Sequence, residues 1–399
     1  MAIDTRRPRQ RPTPPTVNRP ERGRGPRRAT RARRVALFAA LLCLLPVAVS
    51  YAQVVFQRSN SSLGIRTVEW MRDNGARGLV NEVESIYYSL TAPAKGGPGL
   101  KALPKQSGAV ASAGATKTRS RHRAVHHYRP PNIRPVLSPA LPGEGVWQAT
   151  FAPGGSRPPV LITSFRPDPN YPRMVAGLAW IDHTRTTVSL IPGMREPAVS
   201  LPSRGSSEVP LSMRGRLVAT FNSGFKLSDS GGGFVYGGHT YAPMVHGMAT
   251  IVRYSDGRVD VVAWPYGPEA PLNVVFARQN LPLIVNHGQP NPNLSDGPEW
   301  GATLGNAVRV WRSAVGVDRF GNLIYAAAPI QTVGSLAAIM MRAGAVRAME
   351  LDINTYWTSF ISYRQPGAIG AANLLAAMDR SDQRYLSPDD RDFFAVYLR

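Results

Sequence analysis

Cysteine is almost absent from this chain: Cys43 is the only one, so no intrachain disulfide can staple any part of it. The seven histidines fall in no zinc-ligand spacing, and three of them, His122, His126 and His127, sit in a basic stretch with no acid nearby. No metal site and no cofactor are therefore expected. The chain also lacks a Gly-x-Ser-x-Gly elbow and a phosphate loop ahead of a helix, which removes two common frames for nucleophilic and nucleotide chemistry. Acids are scarce, with 25 Asp and Glu against 47 Lys and Arg and a formal charge of +22.

That imbalance is concentrated in two places. Residues 1–34 carry twelve arginines against Asp4 and Glu21, with many prolines and glycines, so this tail cannot bury enough apolar surface to order itself and is expected to be disordered. Residues 95–134 carry nine Lys or Arg and no acid. The rest of the chain is close to balanced, which argues against a nucleic-acid partner for the folded part.

Directly after the tail, Val35–Phe56 contains no charged residue and is long enough to span a bilayer. With the arginines on its N-terminal side, it predicts a single-pass cell-membrane segment with a cytosolic N-terminus and an extracytoplasmic remainder. Ser50-Tyr51-Ala52 leaves signal cleavage open. Residues 57–92 read as a membrane-proximal helical segment: Ser61 or Ser62 can cap a helix, Asn74-Gly75 can break it, and Leu79, Val83, Ile86 and Leu90 share one face. Residues 93–145, rich in Pro, Gly, Lys and Arg, read as a basic linker.

A folded domain is expected over 146–399. Short β-branched and aromatic runs succeed one another at 160–165, 174–181, 187–191 and 217–221. Two hairpins are predicted, 249–254 with 258–264 through Asp256-Gly257, and 308–317 with 323–328 through Arg319-Phe320-Gly321-Asn322. A helix over 334–342 has Thr332 as its cap and Gly344 as its stop. A strand over 346–351 comes next, and smaller helices are expected over 371–379 and 388–394. The class is α+β with a mixed, mainly antiparallel sheet and a few flanking helices.

Polar residues in costly places mark the candidate site. Glu350, Asp352 and Asn354 lie two apart at the end of a buried strand and can project together, roughly 6–7 Å between neighbouring Cα atoms. Arg312 interrupts an apolar strand, so its guanidinium needs a carboxylate partner or an anionic ligand. A structural pair of Arg312 with Glu350 or Asp352 and a ligand-binding role both meet that need. Asn222 and Lys226 flank a turn-prone loop, Phe221-Asn222-Ser223-Gly224-Phe225-Lys226, ahead of Gly231-Gly232-Gly233. His246 and His287 fall on loops of the same region and can carry protons near neutral pH.

At these residues the chain resembles the phosphodiester glycosidase family. The likeness covers about residues 215–365 and is carried by Phe221 to Phe225, Met248-Ala249-Thr250 with the Asp256-Gly257 turn, Trp311 to Asp318, and Leu336 through Asp352. It implies a hydrolase that cuts sugar-1-phosphodiester bonds, here exported and tethered to a membrane, with a phosphate-bearing glycan or envelope polymer as partner. It places Asn222, Arg312 and Asp352 in the site. With it, Arg312, Asn222, Lys226 and Asn354 become candidates to hold the substrate phosphate, and Asp352, Glu350, His246 and His287 candidates for proton transfer. The family's Gly-Gly after the aspartate is here Ile353-Asn354, and Ser223 replaces a glycine. A catalytically inactive member that binds phosphate-bearing glycans is the alternative.

Overall fold

The computed structural model describes residues 26–90, 94–109, 128–151, 157–295, 297–301, 309–365 and 367–399. The basic tail over 1–25, the centre of the linker with its histidines, and Ala307-Val308 lie outside the described residues. Two units separate, Met1–Gln57 and Arg58–Arg399.

The described part of the first unit contains α1 (Pro26–Phe56). Over Thr30–Phe56 it is long and apolar enough to cross a membrane, by length and composition, and is compatible with an anchor or a signal sequence.

The second unit opens with α2 (Leu63–Asp73) and α3 (Arg77–Leu90). Strands β1 (Gln148–Ala149), β2 (Val160–Phe165), β3 (Ala176–Ile181) and β4 (Thr186–Ile191) come after them. Then come α4 (Leu211–Arg214), β5 (Leu217–Asn222), α5 (Leu227–Ser230), β6 (Phe234–Tyr236), β7 (His239–Ala242), β8 (Ala249–Tyr254) and β9 (Val259–Ala263). The rest is β10 (Val274–Gln279), β11 (Leu283–Asn286), β12 (Gln289–Pro290), β13 (Val310–Asp318), β14 (Leu323–Gln331), α6 (Val333–Arg342), β15 (Ala345–Glu350), β16 (Phe360–Gln365), β17 (Ile369–Asn373) and β18 (Phe393–Leu398).

Three sheets share the core. One runs β1-β2-β3-β14-β13-β15-β11-β12, a second β7-β6-β10-β8-β9, and a third β17-β16-β5-β18-β4. Every pairing among the described strands is antiparallel, which meets the α+β expectation. Phe221 and Phe394 of the third sheet, Phe276 of the second and Val315 and Tyr325 of the first meet in one buried cluster. On the opposite face of the first sheet, Leu336, Ile339 and Met340 of α6 pack against Ala314, Ile324 and Ala348. The cap of α6 is Thr332, whose side chain accepts from Ser335 N while Ser335 Oγ accepts from Thr332 N, and Gly344 at φ +89° ends it.

Two expected helices are corrected. The segment 371–379 begins as β17 and turns, and 388–394 is a loop running into β18. Phe393–Leu398 pairs with strands on both sides and is buried along nearly its whole length, so its continuous apolar run has no period to separate strand from helix. Both flanks of the basic segment also lie on the domain: Leu100 and Leu103 pack against the core, Ile133 is buried, and Arg364 Nη2 donates to Ser107 O at 2.6 Å.

Candidate active site

Strand β15 delivers Glu350 and Asp352 to different surroundings. After Glu350 opposite Ala314, both Leu351 and Asp352 bond to Ser313: Leu351 N donates to Ser313 O at 2.8 Å and Ser313 N to Asp352 O at 2.9 Å. Two residues against one make a bulge, which breaks the alternation that would have aimed Glu350 and Asp352 together.

Glu350 is fully buried and takes Arg312 Nη1 at 2.5 Å. Arg312 is 3% exposed, and its other bonds go to Gln331 O from Nε and Trp300 O from Nη1, both at 3.0 Å. The pair therefore matches the structural alternative. Burial pushes the Glu350 carboxyl up against the pull of Arg312.

Asp352 lines a cavity of about 40 Å³ with Glu69, Arg72, Asn81, Lys226, Asn354, Trp357 and Arg391 among its walls. Burial raises its carboxyl to about 6, against the attraction of Arg391 and the Asn354 N–H that donates to its Oδ1 at 2.9 Å. Its backbone is pinned from behind. Ser313 Oγ donates to Asp352 O at 3.0 Å and accepts from Asp352 N at 3.1 Å, and Asn222 Nδ2 donates to the same Ser313 hydroxyl at 3.1 Å. Asn222 Oδ1 takes Tyr325 OH at 2.8 Å and Ser359 N at 3.0 Å. Asn222 thus joins three elements behind Asp352 and is not among the cavity's lining residues.

Lys226 and Asn354 do line the cavity. Lys226 Nζ pairs with Glu69 Oε2 at 2.6 Å and Asp73 Oδ1 at 2.9 Å. His246 and His287 are exposed on turns and belong to none of its walls. No group of three or more potential metal ligands occurs among the described residues.

Other residues of the site escaped the sequence reading. Arg391 lies in Asp389-Asp390-Arg391-Asp392, read as part of a helix, and its guanidinium stacks on Trp357 with Cζ 4.6 Å from a ring centroid. Its nearest carboxylate is Glu69 at 3.8 Å, and its buried Nη1 has no partner among the described residues. Trp357, Glu69, Arg72 and Asn81 are among them; for Arg391 the one available signal was a cation enclosed by acids. Burial pushes the Glu69 carboxyl up, but Arg391, Lys226 and Arg72 outweigh that and hold it at about 2.

The Arg391 backbone is held by a close approach. A Cβ on Gly193 would lie 2.4 Å from Arg391 C and 2.6 Å from the carbonyl oxygens of Arg391 and Asp390. Gly193→Ala is therefore expected to cost about 1–3 kcal/mol of stability by overpacking. Chemical denaturation measures this, and an unchanged midpoint would show that the segment moves freely.

Among known proteins, a family model for phosphodiester glycosidases matches residues 211–352. No curated protein matches the chain. Among solved structures, the catalytic domain of zebrafish N-acetylglucosamine-1-phosphodiester alpha-N-acetylglucosaminidase aligns at 14% identity over 63% of this chain and 87% of its own, with a TM-score of 0.40. A hypothetical protein from Synechocystis aligns at 15% identity over 57% of this chain and 59% of its own, with a TM-score of 0.35. Residues 211–352, which hold Asn222, Arg312-Ser313 and Leu351-Asp352, are thus similar to the phosphodiester glycosidase family.

Proposed function

We propose that this protein is an exported, membrane-tethered hydrolase of sugar-1-phosphodiesters carried by envelope polymers or glycans. The observation that carries the proposal is that Asp352, its carboxyl raised to about 6, and Arg391 line the same small cavity. The apolar helix α1 supports the tether.

The leaving group sets the chemistry. Cleaving the bond between the anomeric carbon and the phosphate oxygen sends the electron pair to that oxygen, and a phosphate monoester carries such charge without first being protonated. Cations serve it better than an acid. Arg391, held over the Trp357 ring, and Lys226 take the phosphate oxygens and stabilise the charge as the bond breaks. The proton work is then on water: ionised Asp352 removes a proton as the water oxygen bonds to the anomeric carbon. A base with a pKa near the working pH suits that step. Asn222 and Ser313 position Asp352 from behind, and Arg312 with Glu350 holds the strand ends beneath it.

Arg391→Gln is expected to lower kcat/KM on a sugar-1-phosphodiester by about 10²–10³. Arg391→Lys should recover little, because it keeps the charge and loses the planar stack. Steady-state kinetics decides this, and full activity in both variants would remove Arg391 from the site.

A second reading has one observation in its favour. Ile353-Asn354 stands in place of the family's Gly-Gly, and buried Ile353 fills space beside the site. A protein that binds phosphate-bearing glycans without cutting them would bind the diester and release no product.

A further inference from the structure

The cavity has two walls from distant parts of the chain. Lys226, Asp352, Asn354, Trp357 and Arg391 belong to the sheet domain, whereas Glu69, Arg72 and Asn81 belong to α2 and α3, the hairpin that comes after α1. Charged contacts hold the hairpin in place: Glu69 and Asp73 on Lys226, and Arg77 on Asp229 at 3.1 Å. Asn60 and Ser62, just ahead of α2, add hydrogen bonds, Asn60 Nδ2 to Arg384 O at 2.5 Å and Ser62 N to Tyr356 OH at 3.0 Å. The apolar row of α3, Leu79, Val83 and Ile86, faces outward at 56–59% exposure, so polar contacts dominate the docking.

Both walls contain buried donors that no described residue satisfies, Arg391 Nη1 on the domain and Arg72 Nε on the hairpin. Such atoms are rare in native interiors and ask for a water, an ion or a ligand. The 40 Å³ of space holds about three water-sized groups at roughly 10–15 Å³ each, which is the scale of one phosphoryl group and smaller than a sugar. Glu69 is the hub between the walls, with Arg72 Nη1 at 3.1 Å and Lys226 Nζ at 2.6 Å.

We propose that the α2–α3 hairpin is one wall of the phosphate subsite: Arg72 completes, with Arg391 and Lys226, a composite site for a phosphoryl group. Glu69 is a positioning residue that orients the two cations bonded to it. The inference rests on the proposed phosphodiester function for its choice of anion. It also makes residues 57–92, which the sequence marks only as a membrane-proximal helical segment, part of the working site.

The test is calorimetric titration of the full chain in detergent with inorganic phosphate. Arg72→Gln and Arg391→Gln are each expected to weaken binding about tenfold or more. Asn81→Asp, which adds a like charge, should abolish it. Arg258→Gln, on an exposed turn, should leave the dissociation constant unchanged. Thermal melts of each variant separate lost binding from lost folding. Hairpin variants that bind phosphate as the parent does would overturn the proposal, and tighter binding would overturn it by making the hairpin a plug. Failure of the parent chain to bind phosphate would also overturn it. The diester assay is read separately: phosphate binding in the predicted pattern without turnover would count against the hydrolase alone, and turnover indifferent to Arg72 against the composite site alone.

Discussion

Asp352→Asn is expected to reduce turnover of a sugar-1-phosphodiester by about 10²–10⁴ while leaving the fold intact. Asparagine keeps the shape and can still accept from Asn354 N, so the backbone held by Ser313 and Asn222 has no reason to move. What is lost is the proton acceptor. The pH dependence carries the sign of the mechanism. Burial holds the Asp352 carboxyl at about 6, so it is protonated below that value and ionised above it. A base must be ionised, so kcat should rise with pH through about 6 and level off. The groups facing it set the midpoint: Arg391 and Arg384 pull it down, and Glu69 pushes it up. Glu69→Gln should therefore move the rising limb to lower pH. A rate that falls as pH rises through the same range would make Asp352 an acid and reverse its role.

Arg312→Met should lower stability by about 3–5 kcal/mol, the cost of stranding a buried charge. Glu350 has no exposure, and its Oε2 has no partner among the described residues, so without Arg312 the carboxyl either stays ionised at great cost or takes a proton. Arg312 also donates to Gln331 O and Trp300 O, and these acceptors lose their partner in the same substitution. The double variant Arg312→Met with Glu350→Leu removes the stranded carboxylate and should recover part of the loss, the two orphaned carbonyls accounting for the rest. Urea unfolding of the single and double variants reads this directly. If Arg312→Met kept its stability and lost only turnover, Arg312 would belong with the ligand and not with the scaffold.

Much of the frame was legible in the sequence because local signals agreed with the final packing. Thr332 and Gly344 bracket α6, Asp256-Gly257 turns β8 into β9, and Arg319 to Asn322 turns β13 into β14. The residues that carry the family likeness were found for the same reason, since Asn222 and Arg312 are polar groups on strands that bury nearly everything else. Their division of labour was not legible. Strand alternation predicts that Glu350 and Asp352 face one way, and only the bulge at Ser313 separates them. Arg391 was hidden for another reason: the strand after it is buried on both faces, and the acids around it read as solvated charge, whereas they bind Arg278, Arg380 and Arg384. The hairpin's part in the site depends on contacts between residues more than 150 positions apart, such as Glu69 with Lys226, and no local pattern announces them.

The most direct test of the proposed chemistry is where the oxygen of water goes. The full chain would be incubated with a sugar-1-phosphodiester in water enriched in ¹⁸O, and the phosphate product monitored by ³¹P NMR. Attack at the anomeric carbon leaves every original oxygen on phosphorus, so the account predicts a phosphate monoester with no isotope shift. A shifted phosphorus signal would place the attack at phosphorus, and a glycosidase built on Asp352 and Arg391 would be contradicted.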